Sequence, residues 1–376
     1  MKRILCLILP TAMLFCSLAH AEEPLQVSAV SCVLMEADTG EVLYEKSMHE
    51  KRAMASITKI MTALLTIESG NLDSSFTVDS EAIKVEGTSM GLKEGDIVTK
   101  RALCYGMLLP SGNDAANAAA VEISGSFEAF SELMNKKAAE LGMENTHFVT
   151  PSGLDADGHY TTAYDMALLT KAALENPIFS EICSTKKTSL EYGNPVYKRW
   201  LTNSNKMLSM YDGAIGVKTG FTDNAGRTLV SAARRDGVTL ICVTLFDRDD
   251  WNDHTNLLDY GFSRVKKQSY NYSFDAVAVD VVGGTKASVR AEASGTAMIS
   301  AVDGKIPDGI EMSVCAEHFC YAPVTTGDAV GRLLFCRNGV VLASVELTAA
   351  EDVPAAQIEE KDGIFEKILN FFRRLR

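Results

Sequence analysis

Positive charge is scarce in this 376-residue chain: 36 lysines and arginines stand against 49 aspartates and glutamates, for a net charge of −13 at pH 7. Binding nucleic acid needs a basic footprint, so nucleic acid is not an expected partner. Long apolar runs are missing too. The N-terminal run, Ile4 to Leu18, is short for a bilayer span and contains Pro10. With Lys2 and Arg3 before it and Ala19-His20-Ala21 after it, the segment reads as a secretory signal peptide, residues 1–21, cleaved after Ala21. Phe15 is too bulky for the small residue that usually precedes a lipidated cysteine, which sets Cys16 aside. Cleavage removes Lys2 and Arg3 and takes the net charge from −13 to −15.

Cysteines are present but lack a metal-binding pattern. After cleavage Cys32, Cys104, Cys183, Cys242, Cys315, Cys320 and Cys336 remain, an odd number, so outside the cell at least one stays unpaired within the monomer. Cys315, His318, Cys320 and Cys336 match no common zinc spacing, and their apolar neighbours favour buried thiols or one disulfide. No metal or other cofactor is expected. His49, His147, His159, His254 and His318 lie in no motif that suggests a Ser-His-Asp triad.

What the chain does have is three short motifs in order: Ser56-Ile57-Thr58-Lys59, Ser111-Gly112-Asn113 and Lys218-Thr219-Gly220. A helix beginning at Ser56 puts Ser56 and Lys59 a turn apart on one face, so the amine can take the hydroxyl proton and make the serine nucleophilic. Lysine serves as a base near neutral pH only if burial and nearby positive charge lower its pKa, and Lys218 is the candidate source of that charge. Each motif alone is weak, since Ser-x-x-Lys recurs at Ser184–Lys187 and Ser263–Lys266. Their context is stronger. Ile57, Ile60, Met61, Leu64 and Leu65 form a helical stripe running to Gly70. Ser111-Gly112-Asn113 falls in a turn between helical runs, and Lys218-Thr219-Gly220 in an extended run from Ala214 to Thr222 whose glycines admit another backbone. The bland alternatives are an N-cap for Ser56, turn chemistry for Ser111 and Asn113, and a solvated strand lysine for Lys218.

Together these motifs resemble the low-molecular-mass penicillin-binding proteins that act as serine D-alanyl-D-alanine carboxypeptidases (peptidase S11-like). Similar stretches at Met54–Leu65, Gly106–Ala116, Thr150–Leu169 and Gly213–Gly226 extend the resemblance over most of residues 27–265. It implies Ser56 as the acylated nucleophile, Lys59 as its base and Ser111 as a proton relay. It further implies that Asn113 holds the substrate amide, that Lys218, Thr219 and Gly220 form the strand binding the terminal carboxylate, and that the backbone N–H groups of Ser56 and Phe221 form the oxyanion hole. His159 then sits in a loop near the site with a structural role. The expected substrates are peptidoglycan stem peptides, and β-lactam antibiotics are the expected covalent inhibitors. A class A β-lactamase would add a Glu-x-x-Leu-Asn loop between the second and third motifs; the match here, Glu366 to Asn370, lies after Lys218. An endopeptidase would use the same residues, and a non-enzymatic wall-binding or penicillin-sensing protein would not need Lys59.

The expected fold is α+β. A penicillin-binding, β-lactamase-like domain at 22–266 has an antiparallel sheet carrying helices, with hairpins turned at Asp38-Thr39-Gly40 and Arg235-Asp236-Gly237, helical runs from Ser56 to about Ala173 and a closing helix at Thr255–Tyr260. A small all-β domain at 267–350 follows, with expected strands at Ala276–Val282, Ala287–Ala291, Glu311–Cys315, Gly331–Cys336 and Val340–Leu347, the last two flanking Arg337-Asn338-Gly339. A linker, 351–361, leads to an amphipathic helix, 362–376. In it Ile364, Phe365, Ile368, Leu369, Phe371, Phe372 and Leu375 oppose a basic face, which suits an anionic membrane surface. The protein is expected to be secreted and held at the outer face of the cytoplasmic membrane.

Overall fold

The computed structural model describes residues 25–316, 318–357 and 373; the expected signal peptide, and the expected terminal helix apart from Arg373, lie outside the described residues. The described chain begins with a hairpin of β1 (Ser31–Glu36) and β2 (Val42–Lys46). Its turn is fixed by Thr39, whose N–H and hydroxyl both donate to Glu36 Oε2 at 2.7 Å. A 3₁₀ turn (Ala55–Thr58) leads into α1 (Lys59–Glu68). Then come the short strands β3 (Ser75–Thr77) and β4 (Ile97–Thr99), and the helices α2 (Lys100–Leu108), α3 (Asn113–Ser124), α4 (Phe127–Glu140), α5 (Ala163–Glu175) and α6 (Pro177–Ser184). Thr99, Ser126 and Thr162 cap α2, α4 and α5 by accepting a backbone N–H three residues on. A second small hairpin, β5 (Lys187–Tyr192) and β6 (Tyr197–Thr202), precedes the single turn α7 (Met207–Met210). The unit closes with β7 (Ala214–Thr222), β8 (Gly226–Arg235), β9 (Val238–Asp247) and α8 (Asp250–Arg264).

Five of these strands form an antiparallel sheet in the order β2-β1-β9-β8-β7. Successive side chains of a strand point to opposite faces, and here both faces are covered. Val33, Met35, Ile241 and Val243 pack with α1 to α6, while Cys32, Leu34, Leu240 and Cys242 pack against Leu257 and Leu258 of α8. That double cover explains why β1 and β9 read as nearly unbroken apolar runs.

The expectation of helices running from Ser56 to Ala173 needs correction: the β3–β4 hairpin and the loops 78–96 and 141–162 interrupt them. Three-residue strands leave no periodic signal to read. The helix expected at Thr255–Tyr260 starts earlier, at Asp250, with Asp250 and Asp253 in its first turn, where carboxylates favour a helix N-terminus.

The later part of the chain contains β10 (Val265–Tyr270), β11 (Val277–Val282), β12 (Ser288–Ser294), β13 (Ala297–Val302), β14 (Glu311–Cys315), β15 (Cys320–Tyr321), β16 (Ala329–Arg337) and β17 (Val340–Ala349). Six of them form a sheet, β14-β16-β17-β12-β11-β15, and β10 pairs with β13. Val289, Ile299, Leu333, Phe335 and Leu347 make a separate core. Residue 267, where a domain boundary was expected, falls inside β10, which continues directly from α8. Ser300 of β13 donates to buried Glu36 Oε1 at 2.7 Å, joining this region to β1.

His254 of α8 is fully buried, with Nδ1 against Ser231 Oγ and Nε2 3.0 Å from Thr244 Oγ1. Burial pushes its pKa from 6.5 to about 3. The unfolded chain binds this proton near pH 6.5 and the folded chain only near pH 3, so the stability it contributes is intact above 6.5 and lost as pH falls through that window. The wild-type melting temperature should therefore drop between those pH values, and His254→Gln should drop less steeply. Equal slopes would place the acid sensitivity in other groups.

Candidate active site

Ser56 sits in the 3₁₀ turn ahead of α1 rather than at a helix cap: the residues preceding the two helical segments are Met54 and Thr58. The turn is strained, because Ala55 adopts φ 51°, a left-handed conformation that costs an L-residue free energy unless its surroundings hold it. A short relay of hydrogen bonds does so. Val149 N–H donates to His159 Nδ1 at 2.9 Å, which places the His159 proton on Nε2, facing Thr58 Oγ1 at 3.0 Å. The Thr58 hydroxyl in turn donates to Ala55 O at 2.8 Å. Burial pushes His159 down to about 4, so this imidazole stays neutral at physiological pH and supports the turn from behind.

Lys59 is fully buried, and its Nζ has three partners: Ser56 Oγ at 2.9 Å, Asn113 Oδ1 at 2.7 Å and Ser152 O at 2.6 Å. The last two can only accept. A neutral amine in this place gives its two hydrogens to Asn113 and Ser152 and turns its lone pair to the Ser56 hydroxyl. Its pKa is lowered well below 10.5, first by burial and then by the positive charge of Lys218, with Asp114 acting in the opposite direction.

Asn113 is the first residue of α3, not a free turn residue, and both ends of its amide are engaged within the protein: Oδ1 by Lys59 and Nδ2 by Glu86 O at 2.7 Å. Ser111 is nearly buried at the cavity wall, with φ 68°. Lys218 lies on β7 but is buried, with Nζ donating to Thr219 O at 2.7 Å, and burial lowers it to about 7. Thr219 and Gly220 line the cavity, as does Phe221, a residue 63% exposed. Close approach of β7 to the Ser56 turn requires Gly220: a Cβ there would sit 2.4 Å from Thr228 Oγ1 and 2.9 Å from Ser56 N. On the other side a Cβ at Gly153 (φ 85°) would sit 2.0 Å from Ala55 O.

The cavity holds about 430 Å³ and is bordered by all three motifs. A profile of the D-alanyl-D-alanine carboxypeptidase family matches residues 18–249. The chain belongs to that family. It is 34% identical to D-alanyl-D-alanine carboxypeptidase DacF of Bacillus subtilis (strain 168), over 95% of this chain and 96% of that one. It is 32% identical to DacC of Escherichia coli (strain K12), over 98% and 92% of the two chains. Among solved structures, the D-alanyl-D-alanine carboxypeptidase DacD from Francisella tularensis superposes with a TM-score of 0.62 at 28% identity, covering 88% of this chain and 95% of that one. The Streptomyces K15 DD-transpeptidase does so with a TM-score of 0.61 at 34% identity, covering 63% and 98%.

Several wall residues of this carboxypeptidase-family site were not found in the sequence reading. Arg227 of β8 brings a half-exposed guanidinium to the cavity, held by buried Asp250 in a forked pair at 2.8–3.0 Å and lying 5.8 Å from the Trp251 ring. Asp114 is buried and accepts from Ser89 Oγ and from the N–H groups of Met90, Gly91 and Leu92, which pins the loop carrying Gly87 and Thr88 onto α3. Asp114 was detectable as the acidic residue after Ser111-Gly112-Asn113; Arg227 and Trp251 carry no local signal. His254 and Ser231 are both sealed in the core and do not line the cavity, so that pair supplies no alternative triad. His318 and the cysteines near it form no metal-binding group among the described residues.

Gly220→Ala should push β7 away from the Ser56 turn. We expect the rate of penicillin acylation to fall about 100-fold, the penalty for misplacing reacting groups by about 1 Å. Acylation at the wild-type rate would mean that the close approach at Gly220 has no part in positioning the serine.

Proposed function

We propose the following division of labour for this serine-type D-alanyl-D-alanine carboxypeptidase. The observation that carries it is the buried Lys59 amine standing 2.9 Å from Ser56 Oγ with its other partners able only to accept. Neutral Lys59 takes the Ser56 proton as Oγ attacks the carbonyl carbon of the penultimate D-alanine. The oxyanion that forms is met by the backbone N–H groups of Ser56 and Phe221, each worth about 3 kcal/mol in such sites. As the C–N bond breaks, the proton passes from Lys59 through Ser111 Oγ to the leaving amine, and D-alanine departs. Water then attacks the Ser56 ester, giving its proton to Lys59; the bond to Ser56 Oγ breaks, Lys59 returns the proton to Oγ, and the shortened peptide is released with the free serine and the neutral amine restored.

The terminal carboxylate is bound along β7 by Thr219, with Lys218 behind it, and the Arg227 guanidinium at the cavity wall supports an anionic substrate end. Asn113 orients Lys59 as well as facing the substrate amide. Stem peptides of peptidoglycan supply this D-Ala-D-Ala terminus, and β-lactams present a similar acyl group and carboxylate. Penicillin is expected to remain on Ser56 for minutes or longer. Among the described residues the cavity wall includes no glutamate, and its acid, Asp250, is committed to Arg227. Mass spectrometry should show a persistent penicillin adduct that Ser56→Ala abolishes, together with steady D-alanine release from a D-Ala-D-Ala peptide. Rapid penicillin hydrolysis without an adduct would favour a β-lactamase, and an adduct without D-alanine release would favour a sensor.

Lys218 also sets the pH range. Its positive charge disfavours protonated Lys59, so Lys218→Gln should raise the Lys59 pKa and move the acidic limb of the acylation profile to higher pH. The shift should be seen mainly below about pH 7, where Lys218 is charged in the wild type. An unmoved limb would show that the two amines do not interact.

The remaining parts of the reading are that residues 1–21 direct secretion, that 267–350 serve as a spacer or a partner surface, and that 351–361 link to an anchoring helix at 362–376. A protein ending at Val353 should leave the membrane fraction of expressing cells and keep full activity on small peptides. Unchanged membrane association would move the anchor elsewhere, with an uncleaved leader next in line.

A further inference from the structure

Trp200 is 64% exposed, although a tryptophan buried on one side is the ordinary case. It lies on the outward face of the β5–β6 hairpin, opposite Ser189, with the Lys187 ammonium 5.0 Å and the Lys198 ammonium 5.5 Å from its ring centroid. Tyr197 and Val196 are exposed at the hairpin's other end. In a chain of net charge −13, the outward face carries Lys187, Lys198 and the exposed Glu191 across from Lys198, so two ammonium groups and one carboxylate surround an aromatic centre and leave it with a net positive charge.

The hairpin also adjoins the cavity. Only three residues separate Trp200 from Ser204, which lines the cavity and whose hydroxyl lies 2.9 Å from Thr219 Oγ1. Four residues of chain reach at most about 14 Å. An extended peptide advancing about 3.4 Å per residue covers that span with about four residues. A peptide with its C-terminal end at Ser56 therefore has room to carry whatever is attached to its other end onto this hairpin.

We propose that the outward face of β5–β6, centred on Trp200 between Lys187 and Lys198, is a docking surface for the carbohydrate-bearing, carboxylate-rich polymer to which the peptide substrate is attached. The proposal rests on the carboxypeptidase reading of the cavity. The indole offers an apolar face to a sugar ring, and the two ammonium groups offer charge to the carboxylates of the polymer's peptides. A membrane surface is the competing occupant of a Trp-Lys patch. The hairpin's place beside the cavity favours the polymer, since lipid held there would crowd the entrance the substrate needs.

The test uses the full mature protein with Trp200→Ala and with the double variant Lys187→Ala/Lys198→Ala. Three quantities are measured: cosedimentation with purified insoluble peptidoglycan, D-alanine release from that polymer, and D-alanine release from a short D-Ala-D-Ala peptide. Both variants should lose about fivefold to tenfold in polymer binding and polymer turnover while keeping wild-type kcat/KM on the short peptide. Wild-type penicillin labelling of Ser56 checks that they fold. Unchanged polymer binding and turnover in both variants would overturn the proposal. So would a loss of binding to vesicles containing anionic phospholipid with polymer turnover untouched, which assigns the patch to the membrane. If the wild type releases no D-alanine from the short peptide yet its cosedimentation still depends on Trp200, the enzymatic reading fails and the surface stands.

Discussion

The arrangement depends on hiding one amine from water. Lys59 is fully buried, and a buried polar group left without partners costs about 1–3 kcal/mol, more when charged. Its three partners come from three separate segments: the Ser56 turn, the start of α3 and the loop at Ser152. Satisfying Lys59 therefore requires those segments to converge. Convergence in turn explains the missing side chain at Gly153, where a Cβ would collide with Ala55 O, and the hydrogen-bond relay from Val149 through His159 and Thr58 that holds Ala55 in its unfavourable conformation. Fixing the Lys59 amine and straining the Ser56 turn are one structural event.

The same burial leaves the amine's protonation open to adjustment by its neighbours. Lys218 pushes Lys59 towards its neutral form, while Asp114 pulls the other way. Asp114 also fixes the loop at 89–92 by accepting from three successive backbone N–H groups. One carboxylate thus shapes a cavity wall and favours protonated Lys59, which ties the cavity's outline to the charge of the buried amine. Lys218 avoids a similar conflict by donating to its own strand at Thr219 O, so two buried lysines coexist without a shared partner.

The three motifs were legible because each is short and lies on a local element whose pattern can be read. The extended run expected at Ala214–Thr222 is β7, and the strand expected at Glu311–Cys315 is β14. What local pattern could not reveal depends on distant segments meeting. Arg227 and Trp251 come from β8 and α8, and nothing in either neighbourhood marks them as facing the same cavity as Ser56. Burial of Lys218 was similarly hidden, because a lysine on a strand gives no sign of which neighbours cover it. The involvement of Asn113 with Lys59 required knowing that the start of α3 lies against the start of α1.

The β5–β6 hairpin shows how an exposed surface and a buried support share one element. On its inward side Arg199 donates to Gly91 O and pairs with Asp96 at 3.1 Å, while its guanidinium lies 4.3 Å from the Tyr192 ring and 4.2 Å from that of Tyr197. The Tyr192 hydroxyl donates to Met90 O at 2.8 Å. These contacts reach the same 89–92 loop that Asp114 holds from the opposite side, so the cavity wall is clamped between α3 and the hairpin. Strand alternation keeps the two functions apart: Arg199 and Leu201 point inward, and Lys198 and Trp200 point outward. A change at Trp200 removes surface without touching the clamp, whereas a change at Arg199 would leave buried Asp96 without its guanidinium partner and loosen the wall. That separation would let a surface contact at Trp200 change without moving the wall of the cavity that Ser56 lines.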